Sequence, residues 1–206
     1  PFQGHSGFFN SHDVLQDALH VLWRHIGSNH RIYNLDFGYQ HRDTMVRRVF
    51  FSFHYERDIW RVCQIRNAWV TKSDLDEAGY IDHAAWEKLE REGKDAINRW
   101  IDRQLEGTSV TAILIGKETS EREWVQEEIK KSFSRGNGLV GIYIDRVKDQ
   151  YGDIDVRGTN PLTLYTRKSD GKRLSDIYPS YDWVGNDGRA NFGDWVEKAA
   201  QIAGRA

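Results

Sequence analysis

Short, unbroken apolar runs alternate along this chain with stretches in which apolar residues recur every three or four positions. Val49-Phe50-Phe51-Ser52-Phe53, Val110-Thr111-Ala112-Ile113-Leu114-Ile115-Gly116 and Leu139-Val140-Gly141-Ile142-Tyr143-Ile144 are the runs. A strand covered on both faces needs apolar residues at successive positions, so each run predicts a buried parallel strand. Between them, helical spacing predicts a helix over 59–69 and a longer one over 83–106. The longer one carries Trp86, Leu89, Ala96, Ile97, Trp100, Ile101 and Leu105 on one side and has Gly107 as its stop. A third helix begins at Ser120. Strands that alternate with helices imply right-handed crossovers, hence an α/β fold with an open, doubly wound, mostly parallel sheet.

The two ends of the chain read differently. Residues 149–179 hold no long apolar run and are rich in Gly, Asp and Ser, so they predict a long excursion. Tyr181-Asp182-Trp183-Val184 predicts a last short strand. Asn191, paired with Asp194, is the expected cap of a final helix bearing Trp195, Val196, Ala199 and Ile202. At the other end, Ser11 caps an amphipathic helix with Val14, Leu15, Ala18, Leu19, Leu22 and Ile26, and Gly27 ends it. This gives an N-terminal extension over 1–47 and a main domain over 48–206. Pro1 to Ser6 are compatible with the remnant of a cleaved tag and carry no weight in the fold.

Composition narrows the function classes. The 206 residues are 39% hydrophobic and 29% charged, ample for a real core. The formal net charge of -2 gives no electrostatic footprint for nucleic acid. No apolar run is long enough to span a bilayer and no secretory pattern opens the chain, so the expectation is a cytoplasmic protein with no membrane partner. The single cysteine, Cys63, excludes an intramolecular disulfide and a cysteine metal cluster. The eight histidines show no metal-ligand spacing, which disfavours a metal-dependent nuclease.

In open α/β sheets, ligands bind beyond the carboxyl ends of the strands. Three polar segments should meet there: residues 54–58, 117–120, and Asp145 with Arg146. The helix from Ser120 holds the sharpest anomaly. Ser120 and Glu123 have the spacing of a capping box, and Trp124, Val125, Ile129 and Phe133 form the inward stripe. Glu128 stands four residues after Trp124 and three after Val125, on that same face, while Glu127 turns toward solvent. A carboxylate so placed lies at the stripe's margin in water, pairs with an arginine, or works. Asp58 reads as a cap for the helix that follows it.

Val49 to His54 with nearby Asp58 resembles the first-strand signature of TIR domains. Ser120-Glu121-Arg122-Glu123-Trp124-Val125-Gln126-Glu127-Glu128-Ile129 resembles the TIR helix with Trp-Cys-x-x-Glu-Leu, although Val125 stands where the motif has Cys. Stretches 48–55, 65–72, 108–116 and 181–184 are more closely similar to the TIR-like ThsB family of bacterial Thoeris anti-phage defence. No recognisable BB loop stands out between Thr71 and Asp82.

The resemblance implies an enzyme that splits NAD⁺ at its nicotinamide–ribose bond. Glu128 is then catalytic, with Ser52, Phe53, His54 and Trp124 as substrate-binding candidates. It implies no cofactor, NAD⁺ being the substrate, and a cyclic ADP-ribose isomer as product. It also implies a phage-derived activator, a signal-responsive effector acting through the product, and homo-oligomers. Ordinary core packing of Phe53 and a solvated-loop role for His54 remain open alternatives on sequence alone. So do a non-catalytic scaffold and a receiver- or flavodoxin-like nucleotide-binding module.

Overall fold

The three apolar runs form strands in the computed structural model, which describes residues 47–69, 88–89 and 91–205. The helix expected over 11–27, the segment 71–82 and the start of the helix expected over 83–106 lie outside the described residues. Strands β1 (Val49–Ser52), β2 (Val110–Ile115) and β3 (Gly138–Tyr143) are joined by β4 (Ser180–Asp182) after the excursion. All pair in parallel in the order β1-β2-β3-β4, with Ser52 opposite Ile113 and Ile113 opposite Gly141. Every residue of β1 and β2 is buried, which is why neither strand alternates with polar residues.

Helices α1 (Tyr55–Trp69), α2 (Lys94–Leu105), α3 (Glu123–Ser134), α4 (Leu174–Ile177) and α5 (Gly188–Ile202) complete the domain. Strand side chains point alternately to the two faces, and the packing follows that period. Val49, Phe51, Ala112 and Leu114 meet Val62 and Ile65 of α1 and Phe192, Trp195 and Val196 of α5 on one face. Ile113, Ile115 and Leu139 meet Val125 and Ile129 of α3 and Leu174 of α4 on the other. Phe50 meets Ile97, Ile101 and Leu105 of α2. Helices therefore cover both faces of an all-parallel sheet, the doubly wound arrangement expected. One polar tie reaches from α3 to β2, where the Thr111 hydroxyl donates to Ser132 Oγ at 2.8 Å with both residues fully buried.

Several element ends differ from expectation. The first helix starts at Tyr55 rather than residue 59, with only Phe53 and His54 between it and the strand. The helix expected over 83–106 is interrupted at Gly93, whose φ of 90° lies where residues with a Cβ are strained. Helix α2 then runs to Leu105, and Gly107 closes it at φ 71° as predicted. The Ser120–Glu123 capping box does not form. Thr119–Glu121 is a 3-10 turn, Arg122 is the N-cap without a side-chain cap bond, and Glu123 instead takes Lys94 Nζ at 2.5 Å. Nor does Asn191 cap the last helix. That helix begins at Gly188 after Asp187 in the left-handed region, and Asn191 Nδ2 donates back to the carbonyls of Asn186 and Asp187. No helix among the described residues is long and apolar enough to cross a membrane.

Candidate active site

Strand parity decides what Ser52 faces. Ser52 lies two residues after Phe50, so it points to the α3 side of the sheet, at the carboxyl end of β1. Glu128 sits four residues before Ser132 on α3, which puts it on the helix face that already touches the sheet. The two side chains meet there. The Ser52 hydroxyl donates to Glu128 Oε2 at 2.6 Å, with Ser52 fully buried and Glu128 only 8% exposed. Burial pushes the Glu128 carboxyl up to about 8, and the Ser52 bond pulls in the opposite direction. At neutral pH this group is a protonated acid in the resting protein. A carboxyl held this way ionises readily once a positive charge is brought beside it.

The other candidates spread around this pair. His54 follows two residues later and is 8% exposed. Its Nε2 lies 3.8 Å from Glu56, and its Nδ1 has no hydrogen-bond partner among the described residues. Burial first, and then the Arg122 guanidinium, lower its proton affinity, so the imidazole is neutral at pH 7. Phe53 is half-buried against the cluster on the α1 and α5 face, with its ring 6.2 Å from that of Tyr55. The structure thus places it with the opposite layer rather than beside Glu128. Trp124 is one helical turn before Glu128, half-buried against Phe50, Ile97 and Ile101.

The three polar segments do converge. Arg57 of α1 donates to Asp155 Oδ2 through Nη2 at 2.7 Å and Nε at 3.0 Å, and to Glu118 at 3.4 Å. Arg122 donates to the other Glu118 oxygen at 2.5 Å. Arg157 pairs with both Asp145 and Asp182 and lies over the Tyr143 ring at 4.4 Å. The excursion is drawn close over the sheet end, since a Cβ on Gly158 would meet the Gly116 carbonyl oxygen at 1.9 Å. The meeting of these strand-end segments was legible in the sequence, whereas the individual pairings, and the parts of Asp155, Arg157 and Asp182, were not.

Asp58 corrects an expectation. It does not cap α1 but lies inside its first turn, 1% exposed, with neither carboxyl oxygen hydrogen-bonded among the described residues. Arg61 stands 3.6 Å away, and burial raises the Asp58 carboxyl to about 6 despite that cation. Gly116 gives it room, because a Cβ there would fall 2.1 Å from Asp58 Oδ2. No group of three or more His, Cys, Asp or Glu fit to hold a metal ion occurs among the described residues.

A parallel sheet wound on both faces, with a buried serine–glutamate pair at the carboxyl end of its first strand, defines a TIR-like α/β domain. The comparisons agree with that class. The family model described as the Thoeris protein ThsB, TIR-like domain, matches residues 50–149. A protein of Bacillus cereus (strain MSX-D12), named "Putative cyclic ADP-D-ribose synthase ThsB1", is 38% identical over 191 residues, an alignment that takes in 74% of this chain and 100% of that relative. The chain belongs to the TIR-like ThsB family of Thoeris proteins.

Proposed function

We propose that this protein consumes NAD⁺, breaking the bond between nicotinamide and ribose with Glu128 as the catalytic carboxylate and releasing a cyclic ADP-ribose isomer as a defence signal. The observation that carries this reading is the Glu128 carboxyl, buried against the sheet and addressed by the Ser52 hydroxyl at 2.6 Å. It is supported by membership of the ThsB family and by the synthase name of the Bacillus cereus relative.

The chemistry suits one acidic group. As the C1′–N bond breaks, its electron pair goes to the nicotinamide nitrogen, which loses its positive charge, and an oxocarbenium-like centre is left on the ribose. The cationic nicotinamide riboside entering the site favours ionisation of Glu128, and the carboxylate then stabilises the developing charge in a water-poor setting. A hydroxyl of the adenosine ribose attacks the same carbon to close the ring, and its proton passes to the carboxylate. A base whose proton affinity sits near neutral pH fits that step. Water in place of the hydroxyl would give ADP-ribose. Ser52 orients Glu128, His54 lines the mouth, and Trp124 shields the helix side. A phage-derived trigger, an effector that reads the product, homo-oligomers and a cytoplasmic setting belong to the same proposal.

The test is nicotinamide release from NAD⁺ by wild-type protein beside Glu128→Gln, followed by chromatography with mass detection. Release by the wild type, lost in the variant, with a co-product lighter than ADP-ribose by one water, is the expected result. Equal release by both proteins would remove Glu128 from the chemistry.

A further inference from the structure

One cluster of charges lies at the strand end beside the serine–glutamate pair. Glu118, just past the end of β2, is bridged by two guanidinium groups: Arg57 reaches Oε1 at 3.4 Å and Arg122 reaches Oε2 at 2.5 Å. Arginine forks match carboxylates and phosphates with the same geometry, so a carboxylate held between two of them occupies a place a phosphate fits. Two polar atoms in this cluster are fully enclosed and have no hydrogen-bond partner among the described residues, Nε of Arg122 and Nδ1 of His54. His54 is itself more than nine-tenths buried, and Arg122, Glu118, Glu56 and Arg57 are the charges that act on it. Arg122 is also the N-cap of the twelve-residue α3, whose first amides have no side-chain cap there. Two cations, a helix amino end and two unused polar atoms are therefore neighbours at one strand end.

Its position is set by the catalytic pair. His54 follows Ser52, the partner of Glu128, by two residues and lies within the field of Arg122, Glu118 and Arg57, so the cluster sits at the same strand end as that pair.

We infer that Arg57 and Arg122 form the pyrophosphate seat of the dinucleotide substrate, and that Glu118 is its internal placeholder, displaced when the substrate binds. The inference rests on the reading of Glu128 as the catalytic group for NAD⁺ and adds where the phosphates go. Binding exchanges two arginine–carboxylate contacts for two arginine–phosphate contacts, so the placeholder weakens affinity in return for a cluster with no unpaired cations at rest. The Asp155 contact keeps Arg57 aimed during the exchange.

Calorimetric titration with ADP-ribose, which carries the pyrophosphate and is not cleaved at the bond in question, tests the seat without needing turnover. Arg57→Ala and Arg122→Ala should each weaken binding at least tenfold, Arg57→Lys less, and Glu118→Gln should tighten it several-fold. Circular dichroism of each variant reports whether it has folded, and Glu118→Gln, which predicts a gain, cannot be mimicked by misfolding. Nicotinamide release measured in parallel separates the two claims. Should wild type cleave NAD⁺ while both alanine variants keep ADP-ribose affinity and KM, the seat is overturned and Glu128 keeps its role. Arginine-dependent binding of ADP-ribose without nicotinamide release, in lysate of phage-infected cells as in buffer, would uphold the seat and remove the catalytic reading. Affinity unchanged in Glu118→Gln would dismiss Glu118 as placeholder.

Discussion

Replacing Glu128 by Gln should make this protein more stable, and increasingly so as the pH rises. Glutamine keeps the shape and can still accept the Ser52 hydrogen bond, but it has no charge to bury. In the folded state the carboxyl is raised from an ordinary 4.5 to about 8. Below the ordinary value both folded and unfolded chains hold the proton, and the acid costs nothing. Between these two values the unfolded chain ionises while the folded one does not, so stability drains away as pH rises. Above the upper value both are ionised and the loss is complete. At about 1.4 kcal/mol per unit, the variant's advantage is under ~1 kcal/mol at pH 5, ~3 kcal/mol at pH 7 and ~5 kcal/mol at pH 8.5. Urea unfolding followed by tryptophan fluorescence at those three pH values reads it directly. Asp58, whose carboxyl also titrates anomalously, is common to both proteins and cancels in the difference. A pH-independent gap, or a wild type that is the more stable at pH 8.5, would refute the reasoning, because it would mean that the folded carboxylate is ionised and well paired.

Other perturbations read other parts of the structure. The kcat/KM for nicotinamide release should rise about tenfold per pH unit and level off near pH 8, as expected when activity needs the ionised form of a group with that proton affinity. Ser52→Ala removes the bond that favours the carboxylate, so the midpoint of the same pH–rate profile should move upward. Gly116→Ala drives a methyl to within 2.1 Å of Asp58 Oδ2 and should cost about 1–3 kcal/mol by denaturant titration, with Asp58→Ala in the same chain restoring part of it. Arg157→Ala frees the excursion from Asp145 and Asp182, and hydrogen exchange should quicken at the Asp155 amide, which now bonds to the Asp145 carbonyl at 2.7 Å.

The strands were the most readable part of this chain. Val110 to Ile115 is apolar at nearly every position because both faces of β2 are covered, and no helix pattern competes with such a run. Glu128 was readable too, since helix geometry alone puts it on the same face as Trp124 and Val125. Helix starts were not. Ser120 with Glu123 satisfies the capping-box spacing, yet a 3-10 turn ahead of α3 and the pull of Lys94 on Glu123 give the two residues other partners. Asn191 likewise has a cap's chemistry but sits inside α5, because the chain leaving β4 turns in time to start the helix earlier. Asp58 and the Arg57–Glu118–Arg122 cluster lay beyond reach for a different reason. Their meaning comes from the pairings made where the fold brings strand ends together, and a charged residue near a strand end announces a neighbourhood but no partner.

The placement of Ser52 has a consequence for how this protein can change over time. Both faces of β1 are buried, so a deletion of one residue within it would still leave an apolar strand able to pair with β2. The sheet would survive the lesion while Ser52 rotated away from Glu128 and a phenylalanine took its place. Lineages of this fold can therefore lose their chemistry through a change that keeps the parallel pairing of the sheet, whereas insertions in the surface excursion after β3 leave the serine–glutamate pair in register. Length variation in β1, more than substitution in the core, would mark the descendants that have turned from enzyme to scaffold.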